Sequence, residues 1–326
     1  MEHSIVFVFL MLFVGIALLV FGADKFTYCA ERIGKTLKLP DFVIGAVIIS
    51  IGTCLPELVA SIFAVLKGST TIVAGSVIGS NITNTFLVLG IAFLFFKGEN
   101  IKVELINIDI PFFITATALF AFMTFRGQYK TADGILSLIG VALYIWSVFA
   151  RDPGHKPALA SEAEEEGEAL PATMFTYVLL VVSSVMLYFG GEWTVDYISE
   201  IAKIFNINEG VIAGTAVAVA SSLPELMISF KYARRGKLDI ALGNVVGSGI
   251  FNFFFVIGAA SLFSYFTPNP GVLLVAADTI HKGLPIMLFG SIIFTFVVID
   301  KKPSKYEGAM FLLVYVFYLG WMLKWL

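Results

Sequence analysis

Two glutamates stand where a lipid bilayer would exclude them. Glu57 follows Pro56 in GTCLPE, inside the apolar run 41–66, and Glu225 follows Pro224 in ASSLPE, inside the apolar run 209–233. An unpaired acid at that depth costs several kcal/mol, and each proline removes a helix hydrogen bond at a neighbouring position. The two costs become one device if the site binds cations. Pro56 has no N–H for the carbonyl of Gly52 and Pro224 none for that of Ala220, so helix breaks are expected across Ser50 to Cys54 and around Ala218 to Ser221. Carbonyl oxygens freed at a break point their dipoles at a cation, and the carboxylate supplies charge one residue beyond the proline.

Neutral oxygens lie nearby in sequence. Ser80 and Asn84 are four residues apart, as are Ser248 and Asn252, so each pair occupies one face of its helix. Gly75 and Gly79, with Gly243 and Gly247, sit just before them at the spacing that lets helices approach closely. Carboxylates, amides, hydroxyls and carbonyls suit Ca²⁺ and Na⁺ and do not suit zinc or copper. Ser61 and Ser229 are expected only to back-bond to their own helices.

The elements that must hold these residues follow from composition. The chain has 326 residues, of which 58% are hydrophobic and 14% charged, with a net charge of −3; its mean hydropathy is +0.92. That reads as a polytopic membrane protein with no nucleic-acid partner. Cys29 and Cys54 form neither a disulfide framework nor a metal-ligand spacing.

Apolar runs long enough to span a bilayer fall at 4–23, 41–66, 71–96, 103–125 and 131–150, then at 172–191, 209–233, 239–265, 279–299 and 307–326. The first lacks a basic lead and a cleavage pattern and reads as a span. Arg151 to Pro171, rich in glutamate, reads as a solvated linker. Fifteen of the 21 Lys and Arg lie in the odd-numbered connections, which places both termini outside and the acidic linker in the cytoplasm. His281 and Lys282, near Asp278, read as interfacial anchors, and Asp24 and Glu192 as solvated span ends.

The halves repeat. Leu55-Pro56-Glu57-Leu58 recurs as Leu223-Pro224-Glu225-Leu226, Gly79-Ser80 as Gly247-Ser248 and Asn84 as Asn252, all at the 168-residue offset that separates Glu57 from Glu225. With five spans in each half, the second copy inserts upside down, the inverted-repeat plan of secondary transporters. The expected fold is therefore an all-α polytopic membrane protein of ten transmembrane helices. It forms two inverted five-helix repeats, 1–150 and 172–326, joined by the linker 151–171, with helices 2 and 7 broken.

GTCLPELVAS with GSVIGSNITN, and ASSLPELMIS with GNVVGSGIFN, resemble the paired alpha repeats of the cation/calcium exchanger superfamily, specifically its sodium/calcium exchangers. These regions cover about 42–90 and 210–258. The resemblance implies that spans 1 and 6 slide across a core of spans 2–5 and 7–10 while Na⁺ is exchanged for Ca²⁺. It implies a Ca²⁺ site of Glu57 and Glu225 with the carbonyls of Thr53 and Ser221. It also implies Na⁺ sites of Ser50, Thr53, Cys54 and Ser80 on one side and Ala218, Ser221, Ser222 and Ser248 on the other, with Asn84 and Asn252 between. No cofactor and no partner chain are expected, so the protein would function as a monomer in the lipid bilayer.

Three departures from the family pattern stand out. Cys54 replaces a hydroxyl with a thiol, a poor ligand for Na⁺. Ser221 stands where threonine is usual, and Ala220 where glycine is. Asn252 resembles the potassium-independent exchangers, so no potassium requirement is expected. The rival reading is H⁺/Ca²⁺ exchange through the same glutamates, but Asn84 and Asn252 cannot titrate and no histidine lies near either motif. A remoter rival is an intramembrane enzyme using the glutamates as an acid/base pair, for which no activated nucleophile is in sight.

Overall fold

The computed structural model describes residues 4–37, 50–96, 109–150, 172–236, 238–267, 271–300 and 303–323. The acidic linker, and residues 41–49 of the second apolar run, lie outside these residues. Helices occupy all ten apolar runs. Five helices are long and apolar enough to cross a membrane: Ile5–Gly34, Thr71–Phe95, Met174–Phe205, Ala241–Phe266 and Thr279–Ile299. Glu209–Ser221 and Leu223–Arg234 make a sixth when taken together as a span bent by 41°.

Helices Ile5–Thr36 and Met174–Phe205 have 32 residues each, about 48 Å at 1.5 Å per residue. Both outrun the expected spans, because no proline interrupts their polar ends and the helix carries its charges beyond the apolar stretch. They pack along each other, and small residues set the contact. A Cβ on Gly15 would come within 2.9 Å of the Thr194 backbone nitrogen, and one on Gly190 within 2.7 Å of that of Leu19. This pair is peripheral. Only 28% of the most apolar window of each is buried, against 83% for Thr71–Phe95 and for Ala241–Phe266, so the last two form the centre.

The central helices change winding at the repeated asparagines. Thr71–Ile82 passes into a π-helical stretch, Thr83–Val88, before resuming as Leu89–Phe95. Leu238–Phe251 passes into Asn252–Val256 and resumes as Ile257–Phe263. Such stretches recur at functional sites. Gly75 lies directly against the Gly210 carbonyl, and Gly79 against that of Gly214. The small residues of the first repeat thus seat a central helix on the broken helix of the second, closer than any side chain would allow.

At the periphery, strands Gln128–Lys130 and Val272–Leu274 pair antiparallel, with Tyr129 opposite Leu273. This link between the halves was not visible in the apolar pattern. Tyr129 is fully buried there and hydrogen-bonds Thr124. Lys282 pairs with Asp278 at 3.3 Å and donates to the Trp321 carbonyl at 3.2 Å.

Candidate functional site

Both proline motifs break their helices in the same way. Ser50–Thr53 stops, Cys54 takes φ −87° and ψ −1°, and Leu55–Leu66 begins with Pro56 in its first turn. Ala218–Ser221 stops, Ser222 takes φ −85° and ψ 7°, and Leu223–Arg234 begins with Pro224 in its first turn. A proline in a first turn forfeits no bond, since those N–H groups have no intrahelical partner. The break is narrower than expected, one residue rather than several. At the second break the Ala218 carbonyl is occupied, by the Ser222 N–H at 3.1 Å and the Ser221 hydroxyl at 3.3 Å.

Each new helix begins by presenting its glutamate to the interior, and Glu57 and Glu225 are both 1% exposed. Leu55–Leu66 and Leu223–Arg234 each pack against both central helices, which brings the two glutamates to one seam. Ser80 joins it from a central helix: its hydroxyl donates to Glu57 Oε1 at 3.0 Å and lies 3.2 Å from the Ser222 hydroxyl. Asn252 donates to the Ser80 oxygen at 3.4 Å. The site therefore mixes side chains from both halves.

The repeat is not obeyed atom for atom. Ser248, the counterpart of Ser80, donates instead to the Asn244 carbonyl of its own helix at 2.7 Å. Cys54 directs its thiol at the Ser248 carbonyl, 3.7 Å away. Thr53 is half-buried beside it, and Ser50 opens the short helix before the break.

Asn244 belongs to the site's support and was missed in the sequence. Its amide donates to the Glu225 carbonyl and to the Ser229 hydroxyl, both at 3.4 Å. The signal lay in the aligned motifs, GNVVGS against GSVIGS, where asparagine meets Ser76. Ser229 thus accepts a bond from a neighbouring helix, and Ser61 Oγ has no partner among the described residues. Among the described residues neither back-bonds to its own helix as expected. Two tyrosines of the last helix also reach inward. Tyr315 pairs with the Thr83 hydroxyl at 3.1 Å, and Tyr318 donates to the Gly214 carbonyl at 2.7 Å.

Five buried polar atoms along this seam have no hydrogen-bond partner among the described residues: Glu57 Oε2, Glu225 Oε2, Asn252 Oδ1 and both amide atoms of Asn84. Each such atom costs about 1–3 kcal/mol when left unmade. Among the described residues no three His, Cys, Asp or Glu side chains gather as a metal cluster, so the available donors are two carboxylates among neutral oxygens. That donor set fits a hard cation held transiently.

A multi-pass bundle of broken helices with paired carboxylates buried at its centre defines an ion antiporter. The chain belongs to the sodium/calcium exchanger family: the family described as "Sodium/calcium exchanger protein" matches residues 7–150 and 175–324. The sodium/calcium exchanger MaX1 of Methanosarcina acetivorans is 29% identical, over 95% of this chain and 97% of its own. The solved sodium-calcium exchanger NCX_Mj soaked with Na⁺ and Ca²⁺ superposes with a TM-score of 0.63 at 26% identity, covering 97% of this chain and 99% of the other. The H⁺/Ca²⁺ exchanger CAX shares the fold at 16% identity, with a TM-score of 0.75 over 99% of this chain and 87% of its own. This is a family of membrane cation antiporters that move Ca²⁺, and not of enzymes.

Proposed function

We propose that the protein exchanges Na⁺ for Ca²⁺ by alternating access, binding the ions in turn between Glu57 and Glu225. The observation that carries this reading is the seam of orphaned buried oxygens shared by the two carboxylates, Asn84 and Asn252. Ca²⁺ would take both carboxylates, with carbonyls of Thr53 and Ser221. Na⁺ ions would take the flanking oxygens: Ser50, Thr53, Cys54 and Ser80 on one side, Ala218, Ser221, Ser222 and Ser248 on the other. Two carboxylates balance one Ca²⁺ or two Na⁺, so a third Na⁺ makes the cycle electrogenic.

The reading includes ten spans in two inverted repeats, both termini outside, a cytoplasmic acidic linker, a monomeric working unit and no potassium requirement. Sodium coupling is preferred to proton coupling because the residues beside the glutamates are amides and hydroxyls, which carry no proton across. The test is Ca²⁺ uptake into proteoliposomes under an outward Na⁺ gradient with pH clamped. Uptake that follows the Na⁺ gradient supports the reading; uptake that follows only a pH gradient transfers it to proton exchange.

A further inference from the structure

The two repeats differ in how their second half-helices meet the long peripheral pair. Leu55–Leu66 packs along Met174–Phe205, whereas its counterpart Leu223–Arg234 barely touches Ile5–Thr36. Phe63 stacks edge-on with Tyr188 at 5.2 Å, and a Cβ on Gly191 would meet Val59 at 2.6 Å. Met227, the repeat equivalent of Val59, is 66% exposed. It lines an open cavity of about 660 Å³ with Ile228, Phe230, Arg234 and Arg235.

Charges follow the same asymmetry. Lys67, at the end of the packed half-helix, meets Asp196 at 2.5 Å and Glu192 at 3.9 Å, and donates to the Glu192 carbonyl at 3.3 Å. Two residues on, Ser69 lies 3.2 Å from the Ser199 hydroxyl. Shifted by the 168 residues of the repeat, Lys67 becomes Arg235 and Glu192 becomes Asp24, so charge complementarity is kept at both ends. Yet that second pair is unmade: Asp24 binds its neighbour Lys25 at 2.7 Å, and Arg235 stacks over Tyr232 at 5.8 Å.

We propose that Lys67 with Glu192 and Asp196, and Arg235 with Asp24, are alternating ionic clasps, each closing when its own face of the transporter shuts. Resting on the inverted-repeat exchange reading above, the two clasps lie on opposite membrane faces, and the structure holds the first closed and the second open. The closed clasp is partly solvated, with the Lys67 side chain 27% and that of Asp196 50% exposed. It therefore biases the equilibrium less than about tenfold. A weak clasp suits a carrier that must reopen each cycle. The third position departs from symmetry, since Tyr28 stands where Asp196 does in the other repeat. The first clasp thus has two acids against one, and the resting balance favours the state seen.

The test places spin labels at two exposed positions, Leu66→Cys and Ile204→Cys, in the reconstituted full chain, whose native cysteines are buried. Lys67→Gln should enlarge the longer-distance population at least about twofold, and Lys67→Asp combined with Asp196→Lys should return it toward the parent value. Asp24→Asn, which weakens the opposite clasp, should shrink it. An unchanged distribution in Lys67→Gln, a charge swap that behaves as two separate losses, or no response to Asp24→Asn overturns the proposal. Na⁺-driven Ca²⁺ uptake by the unlabelled protein is read in parallel. If uptake is absent while the distances respond as stated, the clasps hold and the exchange reading falls; if uptake is present and the distances do not respond, the reverse follows.

Discussion

Ser80 donates to Glu57 at 3.0 Å, while its repeat partner Ser248 turns back to its own helix. The hydroxyl from a central helix holds one carboxylate in place and leaves the other without that support. The two halves therefore offer two chemically distinct flanks beside the glutamates. An asymmetric site of this kind can bind two substrates of different charge in the same space.

On the proposed reading, neutralising either glutamate removes negative charge that offsets a bound cation's lost hydration. Glu57→Gln and Glu225→Gln should each weaken Ca²⁺ binding by about 100-fold or more, roughly the cost of breaking a buried charge pairing. Calorimetric titration of the purified proteins checks this, with retained helical content as the control for folding.

The Ser80 hydroxyl also touches Ser222 and Asn252, so its loss unfastens three groups. Ser80→Ala is expected to reduce apparent Ca²⁺ affinity about tenfold, and Ser248→Ala less than about threefold, given that a hydrogen bond to a charged group is worth about twice a neutral one. Equal effects in concentration-dependent uptake would mean that Ser248 turns to the ion once it binds.

Cys54 carries a soft, buried thiol in the helix break, three residues before Glu57. Cys54→Ser supplies a hard oxygen in nearly the same volume, so apparent Na⁺ affinity should rise a few-fold, on the order of a weak hydrogen bond, with Ca²⁺ affinity little changed. Parallel shifts in both ions would assign Cys54 to packing instead.

The contact of Gly79 with Gly214 leaves no room for a side chain. Gly79→Val should destabilise the fold by roughly 1–3 kcal/mol as an overpacked interior substitution, read as a lower melting temperature in detergent. Gly68 has open space around it and serves as the matched site for a mild change, though its φ of +78° still adds some backbone strain.

Much of the fold was legible because membrane burial writes itself as long apolar runs, and the repeat fixed which positions matter. Pro56 and Pro224 announced the breaks, and hydrogen bonds link Glu57 to Ser80 and, between the two halves, Ser80 to Asn252. The π-helical turns at Asn84 and Asn252 could not be read, since winding depends on how a central helix packs against its neighbours and not on local propensity. Asn244 was hidden for a similar reason: an amide one position from a glycine looks like spacing until a second helix brings Glu225 to it. The clasp at Lys67 was obscured because Glu192, seen alone, is only a charge at the end of a span.

The central claim is that one cation sits between the two glutamates. Crystals of the full chain soaked in Sr²⁺, a heavier stand-in for Ca²⁺, can be measured for anomalous scattering. A single strong peak within coordination distance of both Glu57 and Glu225, about 2.3–2.6 Å for Ca²⁺-like ligation, and displaced by excess Na⁺, is the predicted result. A peak away from this seam, or one at the seam that Na⁺ leaves untouched, would contradict the account.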